Sequence, residues 1–526
     1  HYPLRRQRQM CIRDRHFSIT KGVALDIDVF LKESYKYRLG DITTEMPHPK
    51  TVNLSSLANE DLDRALSILQ DVDLDALKEL KKYSHKIEEL RNDVKLTLES
   101  GGRVFLCGCG ATGRLSLLIE FLWREAHPQS DQVFSLMAGG DVALVHSLEG
   151  FEDFPEYGER HLKEMGFKEN DLLISSTEGG ETPYVIGATE AATTISKRSP
   201  YFLYCNPDEI LKTRVERSKR VIENEKIKKI ELFVGPMALS GSTRMQASTV
   251  LQLSVGMALL EKRSIESSLQ EFIDAVEKTS FLKLKPFVEK EASLYKEGNY
   301  LMYVPYDYAI SVFTDTTERS PTFSLPAFEK NNYQGKDPSL CYIMIPEIED
   351  SKEAWEKLLN HKPRPLNWSD IEKQTLESYL YEFDFSLHAE KSRMARIKNV
   401  RHIKFVIKNE KECIHFDLDG VCESFPIKGF SSLYQHTLLK LLLNTHSTLL
   451  MGRLGRYKSN IMTWVAPTNG KLIDRSARYV QSLLKEKNIE KTYEEVVRMI
   501  FKNRVSRKDG EPIVLKTFES FLKDSK

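Results

Sequence analysis

Leu57, Leu62, Ala65, Leu66 and Leu69 recur at helical spacing, and so do Leu74, Leu77, Leu80, Ile87, Leu90, Val94 and Leu98. Residues 52–100 therefore read as helical, with Ser55 and Asp71 as N-cap types. Gly101-Gly102 closes this stretch and the period changes. Short apolar runs at 103–107, 133–138, 171–175, 200–204 and 230–234 read as strands, each ending in a turn. Apolar helices follow several of them, at 114–125, from Pro183 and from about Ser242. Strands that alternate with helices predict βαβ units and a parallel sheet. A weaker copy starts near 299, with strands at 300–304, 342–345 and 402–407 and a helix at 308–317. From Phe430 onward the pattern is mostly helical, and the polar stretch 350–396 has no clear assignment.

The fold class expected is α/β: two flavodoxin-like units of parallel sheet flanked by helices, plus a helical C-terminal part. The boundaries expected are a helical N-terminal segment at 17–100, α/β units at 101–280 and 281–440, and helices at 441–526. A chain of 526 residues has room for several cores.

Composition narrows the partners. Lys+Arg and Asp+Glu are both 76, so net charge makes no case for nucleic acid or an anionic membrane. The most apolar run, Leu438–Met451, is broken by Lys440, Asn444 and His446 and falls short of a membrane span. Seven scattered cysteines show no CxxC pair or zinc spacing, so reduced thiols and a cytoplasmic setting are expected, with no metal. The N-terminal stretch has basic residues but no apolar core of a secretory signal. Met10-Cys-Ile-Arg-Asp-Arg15 resembles the translation of a transposon-end sequencing adapter, so residues 1–16 are expected to be non-native.

Candidate chemistry lies in three strand-to-helix loops: Gly108–Arg114, Ser175–Thr182 and Ser240–Arg244. In open parallel sheets ligands bind at the carboxyl ends of strands. Glycines let backbone N–H groups approach an anion, and the following helix N-terminus favours it. One such loop is often only a turn; three on successive strands form a phosphate-binding constellation. Gly110, Ala111, Thr112, Gly113, Arg114, Ser175, Ser176, Thr177, Gly179, Gly180, Thr182, Ser240, Ser242 and Thr243 are its candidate ligand residues. Gly108-x-Gly110-x-x-Gly113 also fits a dinucleotide fingerprint, but no acid directly ends the second strand, so a nicotinamide enzyme is disfavoured and no cofactor is expected.

The stretch Gly101–Leu115 (GGRVFLCGCGATGRL) resembles the signature of the family of N-acetylmuramic acid 6-phosphate etherase and glucokinase regulatory protein, built on sugar-isomerase (SIS) domains. Thr44-Glu45, Ala138–Asp141, Glu149–Asp153, Thr182–Ile186, Cys205–Pro207, Gly235–Met245, Leu443–Thr448 and Thr468–Leu472 resemble further family stretches in order. Two SIS-like units in one chain, then a helical lid, resemble the regulatory protein more than the single-domain etherase. The resemblance implies a hexose or amino-sugar phosphate ligand, contacted also by Glu152 and by Lys471, and a protein partner such as a sugar kinase. It implies a regulatory or sensor function, with a sugar-phosphate lyase of etherase type, or a related isomerase, as the alternative.

The etherases use two Glu side chains as acid and base. One matches Glu152; the position of the other falls on Leu122, which cannot transfer a proton, while Glu120 faces away and Glu125 is a turn too far. Asp315–Phe323 in the second copy resembles the missing stretch, although Val304–Tyr308 there has no glycine loop. Either this is decay of a duplicated copy, or Glu318 crosses to the first repeat and restores a pair with Glu152. Met237, Gln246 and Gly179 depart from the family pattern and are expected to remove polar groups near the site.

Overall fold

The computed structural model describes residues 27–505 and 511–524, apart from 147, 149, 334, 336, 337, 399, 466 and 468. The adapter-like segment 1–16 lies outside the described residues.

The first sheet holds β1 (Val104–Gly108), β2 (Val133–Met137), β3 (Leu172–Ser176), β4 (Tyr201–Tyr204) and β5 (Lys228–Glu231). All are parallel, in the order β2-β1-β3-β4-β5. Successive side chains of a strand point to opposite faces. Val104 and Leu106 therefore join one apolar core, with helices Ala111–Ala126 and Gln246–Leu260, while Phe105 and Cys107 join another, with Pro155–Glu164 and Pro183–Ile195. Both faces are covered, which is why these strands read as unbroken apolar runs. Helix Gln246–Leu260 is buried on every side. It packs against the N-terminal helices Leu62–Lys81 and Ser84–Glu99, so the helical N-terminal segment belongs to the first unit.

The second sheet has the order β10-β9-β8-β6-β7, from β6 (Tyr300–Pro305), β7 (Cys341–Ile343), β8 (His402–Glu410), β9 (Cys413–Leu418) and β10 (Val421–Pro426). The expected parallel strands β6, β7 and β8 are present. The expectation of a wholly parallel second sheet needs correction, because β9 and β10 add antiparallel to β8. Their turns, Lys411-Glu412 and Asp419-Gly420, have φ of 51°, 56°, 50° and 84°, the left-handed pairs of tight hairpins. The Asp-Gly dipeptide and the in–out alternation of Cys413–Leu418 announce this hairpin in the sequence.

The boundary expected at 440/441 falls inside one helix, Ser432–Arg453. It is buried over nearly its whole length, between helices Gln246–Leu260 of the first unit and Lys285–Lys296 and Ala309–Phe323 of the second. The most apolar run of the chain is thus the shared spine of the two repeats. The unassigned stretch also bridges them. Arg364 bonds Asp141 and Glu120 at 2.6 and 2.5 Å, and the buried Trp368 indole donates to Glu164 at 2.6 Å. Helices Gly470–Lys485, Tyr493–Val505 and Ile513–Asp524 close the chain.

Candidate functional site

The carboxyl end of β1 builds the first wall. A side chain on Gly108 would meet the Thr112 carbonyl carbon at 2.3 Å, so only glycine lets the strand turn this tightly into a helix. Gly110, at φ 54° and ψ −122°, is a backbone position open only to glycine. Helix Ala111–Ala126 therefore begins with its N-terminus at the mouth of a cavity of about 550 Å³. Gly110, Ala111 and Arg114 line this cavity, with Glu152, Glu178 and Thr182 from other β–α connections and Ser242, Thr243 and Arg244 from the third loop.

Glu318, on helix Ala309–Phe323 of the second repeat, lines the same cavity as Glu152. Its carboxylate lies 3.7 Å from Arg114 Nε, and Arg114 Nη1 donates to the neighbouring Thr317 hydroxyl at 2.8 Å. A second bridge sits alongside: Arg244 Nη1 donates to Asp315 at 3.1 Å, and Asp315 also accepts from Arg319. Both repeats therefore place carboxylates at one cleft. Burial pushes the Glu318 carboxyl above its ordinary range, against the pull of Arg114 and Arg244. Burial also raises Glu178 to about 7, with a further push from Glu318. The Cys109 thiol, raised by burial and by Glu152, stays protonated and approaches Glu152 Oε2 at 3.5 Å.

The C-terminal part forms the remaining wall. Asn469 caps helix Gly470–Lys485 by accepting from Leu472 N–H at 2.9 Å, which places Lys471 and Arg475 on the cavity. Lys471 Nζ bonds Glu181 at 2.7 Å, and Arg475 and Arg478 bond Glu45 at 2.5 and 2.9 Å. The two guanidinium groups hold the buried Glu45 carboxyl well below the usual range although its burial opposes them. Thr44 is tied in turn to Asn206, so the Thr44-Glu45 and Cys205–Pro207 motifs act as struts for the site.

Of the sequence-predicted residues, Gly110, Ala111, Arg114, Glu152, Thr182, Ser242, Thr243, Lys471 and Glu318 come together on the cavity. The others are used within the fold. The Thr112 hydroxyl turns back onto Cys109, and Gly113 lies against Met137. Ser175 accepts from Thr189, Ser176 is buried at the end of β3, and Thr177 pairs with Thr182. The Gly179 carbonyl accepts from Asn206 and that of Gly180 from Ser218, while Ser240 donates to the Glu45 carbonyl. Met237 and Gln246 are corrected as well. Met237 is fully buried, and Gln246 donates to Asp73 at 2.6 Å, so neither removes a group from the cavity. Gly179 packs beside Glu181 and Ile42, away from the lining. Glu120 does face away, accepting from Ser135 and Arg364. Glu178, Arg244 and Arg475 are lining residues that sequence reasoning passed over; Glu178 and Arg244 lay inside the loops already singled out.

Among the described residues, no group of His, Cys, Asp and Glu could hold a metal ion, and no helix is long and apolar enough to cross a membrane. The architecture is that of a SIS-type α/β protein. The family model described as glucokinase regulatory protein N-terminal SIS domain matches residues 84–193. The N-acetylmuramic acid 6-phosphate etherase of Clostridium acetobutylicum is 30% identical over 221 residues, 42% of this chain and 68% of that protein. N-acetylmuramic acid 6-phosphate etherase 1 of Bacillus licheniformis is 28% identical over 346 residues, 64% of this chain and 96% of that one. Among solved structures, tagatose-6-phosphate ketose/aldose isomerase from Escherichia coli aligns at 11% identity and a TM-score of 0.42, over 80% of this chain and 99% of that one. The chain belongs to the SIS-domain family of N-acetylmuramic acid 6-phosphate etherase and glucokinase regulatory protein.

Proposed function

We propose that the cavity binds a sugar phosphate and that Glu152 and Glu318 eliminate lactate from N-acetylmuramic acid 6-phosphate, the substrate in the relatives' names. The observation that carries this reading is the convergence of one carboxylate from each repeat on one cavity. The non-catalytic sensor, the first reading of the sequence, rested on Leu122 and on the tandem architecture; Glu318 on the same cavity offers a carboxylate from the second repeat in place of the one missing at Leu122. The relatives named as etherases favour the lyase.

The anionic end of the ligand sits against the helix N-terminus at Gly110-Ala111 and the Ser242 and Thr243 hydroxyls, with Lys471 reaching over it. Glu152 removes the proton from the carbon beside the open-chain aldehyde. The C–H electron pair forms a carbon–carbon double bond as the ether C–O bond breaks. Glu318, kept toward its neutral form by burial, gives its proton to the departing lactate oxygen. Addition of water to the double bond would complete the reaction.

A regulatory reading is favoured by the two α/β units in one chain and by the match of residues 84–193 to the regulatory protein's domain. In that reading, ligand occupancy is passed through Lys471 and Arg475 to the C-terminal helices and a partner such as a sugar kinase. The free cysteines suit the cytoplasmic setting expected for either. Incubating the purified chain with N-acetylmuramic acid 6-phosphate and assaying lactate separates the two. Lactate release supports the lyase; a ligand-induced thermal shift without lactate supports the sensor.

A further inference from the structure

We infer that the Glu178 carboxyl group donates a hydrogen bond to the aldehyde oxygen of the open-chain sugar, stabilising the negative charge that gathers there as Glu152 takes the neighbouring proton. The inference deepens the proposed lyase site and rests on it. As the C–H electron pair is released, part of its charge passes to the adjacent aldehyde oxygen, and a donor preset at that oxygen lowers the barrier. The cationic side chains on the cavity are engaged elsewhere. Arg114 bonds the Thr317 hydroxyl and the Ala143 carbonyl at 2.8 and 3.4 Å, and Arg244 bonds Asp315 at 3.1 Å. Arg475 bonds Glu45 at 2.5 Å, and Lys471, bonded to Glu181 at 2.7 Å, reaches over the phosphate.

Glu178 has no such engagement. It lines the cavity, is 8% exposed, and its Oε1 is buried with no hydrogen-bond partner. A buried, unpartnered carboxyl is costly when charged, and a proton removes that cost. Its backbone is fixed, because its carbonyl accepts from Cys205 N–H at 3.0 Å. Cys109 marks its place beside Glu152: the thiol approaches Glu152 Oε2 at 3.5 Å, and both carboxyls bear on it. The charged groups facing Glu178 are Glu318 from helix Ala309–Phe323, Lys471 from Gly470–Lys485 and Lys440 from Ser432–Arg453. Burial outweighs the two lysines and pushes the carboxyl to about 7, and an ionised Glu318 would push the same way. Glu178 and Glu318 thus both favour the neutral form, one for the aldehyde oxygen and one for the departing oxygen. The step balances: the carbon's proton goes to Glu152, the electron pair to the double bond, the Glu318 proton to lactate, and Glu178 keeps its own. A neutral carboxylic acid in an apolar setting is a strong donor to such an oxygen.

The test compares the full chain as wild type, Glu178→Ala and Glu178→Gln, with circular dichroism to check folding. One readout is lactate release from N-acetylmuramic acid 6-phosphate across pH. The other is hydrogen exchange in deuterium oxide, by NMR, at the carbon beside the aldehyde of N-acetylglucosamine 6-phosphate, the product; exchange needs the stabilised charge but no ether cleavage. Glu178→Ala should slow both about 10²- to 10³-fold, the scale of one lost oxyanion donor, with KM within about threefold of wild type. Glu178→Gln donates without titrating, so it should keep at least about a tenth of both rates. It should also hold its rate further into alkaline pH than wild type, where Glu178 loses its proton above about pH 7. Rates in Glu178→Ala within about threefold of wild type overturn the inference and leave the lyase standing. If Glu178→Ala loses its fold, Glu178→Gln decides: an alkaline fall identical to wild type overturns the inference. Neither lactate nor exchange from wild type overturns the lyase and the inference together.

Discussion

Replacing Glu318 with Gln removes one ionisable oxygen and almost no volume. The side chain is 6% exposed, and Arg114, its ion-pair partner among the described residues, is 3.7 Å away and separately bonded to Thr317. Burial raises the Glu318 carboxyl, so its charged form is disfavoured in the folded chain. A raised folded-state value means that ionisation at higher pH subtracts from stability, and the neutral amide avoids that cost. Thermal stability at pH 7 should therefore stay level or rise slightly. Catalysis should not: a positioned general acid contributes about 10²- to 10⁴-fold, or ~3–5 kcal/mol of barrier. The assay is lactate release coupled to lactate dehydrogenase, with thermal unfolding of the same sample. A Glu318→Gln protein that keeps its fold and releases lactate within about threefold of wild type would refute the acid role and return Glu318 to structure.

Thr243→Ala should weaken sugar-phosphate binding by ~1–2 kcal/mol, the scale of one hydrogen bond to a charged group; unchanged affinity when it is combined with Ser242→Ala removes both hydroxyls from the site. Lys471→Ala should lower affinity and flatten its dependence on salt, and titrations at two ionic strengths decide this. Arg364→Ala removes one of two guanidinium partners of the buried Glu120 carboxylate, Arg124 remaining at 2.9 Å, and should cost about 1.5–3 kcal/mol in denaturant unfolding. Arg364 holds Glu120 down to about 2, against an ordinary value near 4.3, so this contribution is full above about pH 5 and fades as pH falls toward 2. The stability gap between Arg364→Ala and wild type should narrow over that window; a constant gap would show that the pair is not the cause.

The βαβ alternation was legible because a strand buried on both faces must be apolar throughout and a turn must follow it, as Arg103–Cys107 and the glycines after it display. The antiparallel hairpin at 413–426 was equally local, marked by Asp419-Gly420, but it fell in a stretch read for parallel strands. Within the loops, residue type was readable and direction was not. Ser175, Thr177 and Thr182 look alike in sequence, yet only Thr182 reaches the cavity: Ser175 lies within β3, and Thr177 is buried beneath Thr182 and bonded to it. Glu178 escaped notice because a loop carboxylate is ordinarily solvated, and only packing shows it buried and unpaired.

The sequence by itself determined the two α/β units, the glycine turn at Gly108–Gly113, the identity of Glu152, Lys471 and Glu318 as candidates, and the absence of an acid at Leu122. These depend on local backbone sterics and on periodicity over a few residues, which a linear pattern records. The tertiary structure alone decided that helix Ser432–Arg453 is a spine shared by both repeats, that Arg364 straps one to the other, and that Glu318 stands beside Arg114, which bonds the neighbouring Thr317 at a separation of 203 positions. Contacts at such separations follow from how two apolar surfaces meet, and burial at that interface sets the charge each carboxylate can carry.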